Sequence, residues 1–213
     1  MCKFTNSIKL TNANKVVITD MDGTLYRLNS PGNTYSGSTL ETAVLANARK
    51  FLVTRNFATE ETVEQIMRSG LSDLVGLSAN VQKNFGVSRG EYFDNVWNID
   101  PEGMLQDFEE AVTTLQALVA RGSKIILLTS GAKAWQEQVC NYLGITKLFD
   151  TIYTGEDFGT KDEIFAKLSQ QYSPTDMISV GDQYKTDIEP AQKYGISTLW
   201  VKEPKDITKL FEV

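Results

Sequence analysis

The sequence predicts an α/β protein whose parallel sheet is assembled from two chain segments, with an all-helical insertion between them. Three observations carry this. Val16-Val17-Ile18 is an unbroken β-branched run, the pattern of a strand buried on both faces. From Pro101 onward helical and strand patterns alternate, which implies parallel strands joined by right-handed crossovers. Between Ser38 and Asn98 no strand pattern interrupts the helical ones.

The first strand runs into Asp20-Met21-Asp22-Gly23-Thr24-Leu25-Tyr26, and Arg27 to Gly37 has the Asn/Ser/Pro/Gly composition of a loop. Ser38-Thr39-Leu40-Glu41 has the form of a capping box, and Val44, Ala48, Phe51 and Leu52 follow at helical spacing. Further helices are predicted from Thr59, over Gly70 to Phe85, and from Ser88. In the last of these, Tyr92, Phe93 and Trp97 read as core rather than as a stacking platform. Phe108 to Arg121 is an amphipathic helix closed by Gly122. Lys124 to Leu128 is a second buried strand, ending in Thr129-Ser130-Gly131. A helix over Ala132 to Leu143, a short strand at Thr151 to Thr154 and a helix begun by Lys161 come next. Met177 to Val180 is a fourth strand, ending in Gly181-Asp182; a helix through Ala191 and a strand from Ser197 to Val201 complete the pattern.

Composition narrows the function. The chain has 213 residues, 41% hydrophobic and 23% charged, an ordinary globular balance. Its net charge is −6, from 21 basic and 27 acidic residues, with no basic block, so a nucleic-acid groove is not expected. The two cysteines, Cys2 and Cys140, are too far apart in sequence to form a cluster motif and suit a reducing compartment. The first fourteen residues lack an apolar core of secretory length and no run spans a bilayer, so a cytoplasmic location is expected. Histidine is absent, which removes Ser-His-Asp and Cys-His catalysis together with imidazole metal sites. Acid–base chemistry has to come from carboxylates, lysine or tyrosine.

Three predicted strands end in polar groups: Asp20 and Asp22, Thr129 and Ser130, and Asp182 with Asp187 five residues on. A parallel sheet gathers such ends at one edge, where open α/β sheets bind ligands. Residues i and i+2 of an extended chain point to one side, so Asp20 and Asp22 are expected to converge. Crowded carboxylates raise each other's pKa and call for a cation, and Mg²⁺ is the natural partner of carboxylates and phosphate. Lys161 and the Thr129 hydroxyl would then serve a phosphoryl group, with Asp20 as nucleophile and Asp22 moving the proton.

These residues, in this order, resemble the four motifs of the haloacid dehalogenase-like (HAD) hydrolases: Asp20-Met21-Asp22-Gly23-Thr24, Thr129, Lys161, and Gly181-Asp182 with Asp187. Leu143-Gly144-Ile145, Leu148-Phe149-Asp150 and Thr186-Asp187-Ile188-Glu189-Pro190-Ala191 agree with it. The resemblance covers Lys15 to Arg27 and Pro101 to Val201. It implies a Rossmann-like core over residues 1–27 and 101–213, and a helical cap of subfamily I over 28–100. It further implies an aspartyl-phosphate intermediate on Asp20, with Mg²⁺ held by Asp20, the carbonyl of Asp22, and Asp182, and Asp187 behind them. Thr129, Ser130, Gly131 and Lys161 are the expected substrate contacts. Leu25-Tyr26, Asn84 to Val87 and Asn98 to Pro101 are similar to pyrimidine 5′-nucleotidases, although Gly23 and Asp162 depart from that pattern.

The expected activity is therefore Mg²⁺-dependent hydrolysis of a small phosphorylated metabolite, a nucleoside monophosphate or sugar phosphate. Neither a membrane nor a protein partner is implied. A phosphomutase of the same superfamily and a non-catalytic phosphate-binding module stand as alternatives.

Overall fold

Val16–Thr19 is the central strand of a five-stranded sheet in the order Thr151–Tyr153, Lys124–Leu128, Val16–Thr19, Met177–Gly181, Ser197–Trp200. Every neighbouring pair is parallel. The coordinates are a computed structural model that describes residues 16–72 and 76–211. The amino-terminal segment read above as lacking a leader, with Cys2, lies outside the described residues. The α/β class and the parallel sheet predicted from sequence are both observed.

The central position follows from the side chains. All four residues of Val16–Thr19 are buried, and branched side chains on both faces suit a strand covered on both sides. On one face Val16, Ile18, Ile126, Leu128 and Met177 pack against Ile164, Phe165 and Leu168 of helix Lys161–Gln171. Truncating Ile18 there would cost about 2–5 kcal/mol. Val17, Ile125 and Leu127 on the other face are equally buried.

The chain divides into two compact units. The first holds the sheet and takes in the described parts of Met1–Arg27, Leu105–Gly131 and Leu143–Val213. The second takes in Leu28–Met104 and Ala132–Tyr142. Its helices are Thr39–Thr54, Val63–Ser72, Gly76–Phe85, Arg89–Val96 and Lys133–Tyr142. Ser38 caps the first of them through its Oγ, which accepts from the Glu41 N–H at 2.9 Å. Glu41 reaches back to the Gly37 N–H at 2.7 Å, one residue earlier than a reciprocal box requires. Tyr92 and Phe93 are buried and meet Phe51 and Trp97 in edge and tilted contacts, the core role read from sequence.

One local feature was not in the sequence pattern. Residues Tyr184–Ile188 form a π-helical turn, with the Glu189 N–H bonded to the Tyr184 carbonyl. Pro190 stands two residues beyond the turn; its missing N–H and bulky ring disfavour an ordinary α turn ahead of it. Among the described residues no helix is long and apolar enough to cross a membrane.

Candidate active site

The sheet register puts Thr19 level with Leu127 on one side and Val180 on the other. The next residues are therefore Asp20, Leu128-Thr129 and Gly181-Asp182, side by side at the carboxyl edge. The Asp20 N–H continues the ladder to the Val180 carbonyl at 2.9 Å. Beyond it the chain turns: Gly23 sits at φ +80°, and the Thr24 and Leu25 N–H groups both donate to the Met21 carbonyl.

Lys161 joins this edge from the first turn of its helix, which is capped by Thr160 and Glu163 in a reciprocal box. Its Nζ donates to Asp20 Oδ1 and to Asp187 Oδ1, each at 2.7 Å, and all three side chains are buried. The Thr24 hydroxyl is 3.4 Å from Asp20 Oδ2. Asp187 is held in turn by the Gln183 N–H at 2.9 Å and the Thr186 hydroxyl at 3.3 Å. Its approach depends on Gly181, where a Cβ would lie 2.3 Å from the Asp187 Cβ. Gly23 has the same relation to Asp182, with a Cβ 2.5 Å from Oδ2.

Asp182 Oδ1 is buried and has no hydrogen-bond partner, a costly state for a carboxylate oxygen. Carboxylate oxygens of Asp20, Asp182 and Asp187 all lie within 4.8 Å of one another. Three acids against one buried ammonium leave an excess of negative charge. Burial, with the Asp187 and Asp22 charges beside it, pushes Asp20 up to about 7 despite the opposing pull of Lys161. Burial and Asp187 push Asp182 up to about 6. Burial depresses Lys161, but Asp20 and Asp187 outweigh it and the ammonium is held above its ordinary value. An all-oxygen donor set with an orphaned oxygen fits a hard divalent cation such as Mg²⁺.

The other predicted site residues fall as follows. Asp22 adds its charge to the same cluster, where it raises both Asp20 and Asp182. Its Oδ1 also accepts from the Tyr26 hydroxyl. Thr129 is buried; its Oγ1 accepts from the Gly131 N–H at 3.1 Å, and its N–H donates to the Tyr153 carbonyl. Ser130 is exposed and Gly131 half-buried. This loop is clipped to the one leading to Lys161, since the Gly155 N–H donates to the Gly131 carbonyl at 3.0 Å. A Cβ at Gly155 would stand 2.4 Å from the Ser130 oxygen. Trp200, not singled out in the sequence, donates its indole N–H to the Asp182 carbonyl at 2.8 Å.

A family model described as haloacid dehalogenase-like hydrolase matches residues 14–195. The chain belongs to this family. Two curated relatives are similar to this HAD-like hydrolase, both glyceraldehyde 3-phosphate phosphatases. The one from Methanocaldococcus jannaschii is 25% identical over 191 residues, covering 76% of this chain and 82% of the relative. The one from Methanopyrus kandleri is 24% identical over 217 residues, covering 90% and 85%. The crystal structure of a HAD phosphatase from Thermococcus onnurineus shares the fold, with a TM-score of 0.60 at 18% identity, over 92% of this chain and 97% of that one.

Proposed function

We propose that this HAD-like hydrolase is a phosphatase that hydrolyses a small phosphomonoester in two steps through phospho-Asp20. One observation carries the reading: a buried carboxylate that lies at the carboxyl edge of the central strand and is bonded to a buried lysine amid further acids. Asp20 attacks phosphorus, the P–O bond to the leaving group breaks, and Asp22 supplies the proton that the departing oxygen needs. Asp22 then takes a proton from water as that water attacks phospho-Asp20, which releases phosphate and restores both acids. Lys161 offsets the charge of the incoming dianion beside Asp20, and it is kept charged by the acids it touches. Thr129, Ser130 and Gly131 are assigned to the phosphoryl oxygens. Mg²⁺, held by Asp20, Asp182 and the Asp22 carbonyl, would neutralise charge on the transferred group and orient it for attack.

The two relatives support a short sugar phosphate over a nucleotide. The helical unit is assigned the role of a cap that selects the leaving group, and the cytoplasm is the setting such metabolites imply.

The test is turnover of a phosphate-ester panel, with glyceraldehyde 3-phosphate, glycerol phosphate and nucleoside monophosphates in it, in Mg²⁺ and in EDTA. The reading expects metal-dependent release of phosphate, highest on a three-carbon ester. Full activity after metal stripping would sink the metal assignment, and no release from any ester would sink the phosphatase.

A further inference from the structure

The turn after Asp20 folds back on itself. The Gly23 N–H donates to the Tyr26 carbonyl at 3.0 Å, and Asp22 and Tyr26 pair as an isolated parallel bridge. The chain thus returns four residues later to the level of Asp22. Tyr26 is entirely buried, so its hydroxyl needs a partner inside the protein, and it donates to Asp22 Oδ1. A phenol bonded to a carboxylate is among the stronger hydrogen bonds available to a neutral donor. The carboxyl group of an aspartate otherwise turns in a broad, roughly two-fold well.

We propose that Tyr26 is a positioning residue for Asp22: its buried hydroxyl clamps Oδ1, fixes the plane of the carboxyl group, and assigns both proton transfers to Oδ2. A proton on Oδ1 would face the phenol's own hydrogen. A proton on Oδ2 leaves the clamp undisturbed, so the group can lose and regain a proton without moving. That matters in a two-step reaction, because the ester oxygen and later the water must meet the same atom. The role rests on the phosphatase reading, with Asp22 as its acid and base.

Tyr26→Phe keeps the ring and removes only the clamp. The test compares kcat/KM, which reports steps through formation of phospho-Asp20, on two esters. With glycerol phosphate, whose alkoxide needs a proton to leave, Tyr26→Phe should lower kcat/KM by ~10-fold. With p-nitrophenyl phosphate, whose phenolate hardly needs one, the loss should stay under ~3-fold. In an Asp22→Asn background the same change should add no selective loss on the alkyl ester, because the group it positions is gone. A purely structural role would depress both esters alike, and that result, or no loss on either, overturns the proposal.

A second readout does not depend on the variant folding. In the wild-type protein the Tyr26 hydroxyl proton should give a slowly exchanging, downfield NMR resonance that moves on Asp22→Asn. A resonance unmoved by that change also overturns the proposal. A wild-type protein inert to every ester refutes the phosphatase reading and this role with it. An active wild type whose Tyr26→Phe variant shows no split between the esters refutes this role alone.

Discussion

Lys161 Nζ lies 2.7 Å from Asp20 Oδ1 although 141 residues separate them in the chain. The contact is buried on both sides, and the same ammonium serves Asp187 at 2.7 Å. Removing one partner of a buried pair strands the other's charge, which costs more than the pair itself contributes. Lys161→Ala should therefore cut kcat/KM by ~10²-fold or more. It should also lower the melting temperature, more at alkaline than at mildly acidic pH, where protonated acids no longer need a cation. Steady-state kinetics and melts across pH check both parts. A folded variant with near wild-type kinetics would assign the phosphoryl charge to another cation.

Metal-free stability should fall as pH rises. An acid whose pKa is raised by folding holds its proton more tightly folded than unfolded, so deprotonation works against the fold. For Asp20 the loss runs from the ordinary value of 3.8 up to about 7, and for Asp182 from 3.8 to about 6. The contribution is fully present below that window and gone above it. Mg²⁺ binds the ionised acids, so its stabilising effect should be large at about pH 8 and small at about pH 5. Asp182→Asn should flatten the pH slope in EDTA and weaken the response to Mg²⁺. Melts with and without metal measure this, and a melting temperature that rises with pH in EDTA would contradict it.

Glycine substitution separates geometry from chain flexibility. Gly181→Ala would drive a methyl group into Asp187, whose Cβ stands 2.3 Å from the new atom. The cost should be about 1–3 kcal/mol, with loss of activity as Asp187 is pushed from Lys161. Gly90→Ala is the control: it lies in helix Arg89–Val96 with nothing within 4 Å of a Cβ. That change should be neutral or stabilising by roughly 0.5–1 kcal/mol. Chemical denaturation measures the pair. Equal effects would mean that the close approach at Gly181 is relieved at no cost.

Much of this arrangement was legible because it is written in local chemistry. The runs at Val16, Lys124 and Met177 are rich in branched and long apolar side chains, which a doubly covered strand requires, and polar residues mark their ends. Parallel topology then brings Asp20, Thr129 and Asp182 to one edge without further information. The capping box at Thr160 delivers Lys161 to the start of its helix. What the sequence did not disclose depends on how the turns close. The spacing of Asp20 and Asp22 points to one shared focus, but it does not tell that Lys161 bonds the first acid and Tyr26 the second. Tyr26 enters the sequence reading only in the nucleotidase-like pair Leu25-Tyr26, which says nothing of a partner for its hydroxyl. Trp200 and Gly155 bind the site's loops from distant segments, through contacts that have no periodic signature.

The two acids of the first motif should fail in different ways when each is replaced. Asp20→Asn should abolish turnover of every ester, since an amide is no nucleophile, and should leave no phosphoryl adduct. Its side chain keeps an oxygen to face Lys161, so the protein should still fold. Asp22→Asn leaves the nucleophile intact and removes the proton carrier. On alkyl phosphates its kcat/KM should fall by ~10²–10⁴-fold, the range for a positioned general acid. On p-nitrophenyl phosphate the fall should be much smaller, because the leaving phenolate is stable without a proton. The second step still lacks its base, so phospho-Asp20 should accumulate. Rapid-quench mass spectrometry of Asp22→Asn with p-nitrophenyl phosphate should then find the adduct on the peptide that holds Asp20. An adduct on another residue would reassign the nucleophile. Equal damage to both esters with no adduct would remove Asp22 from the proton transfers and leave its bond to Tyr26 a matter of folding alone.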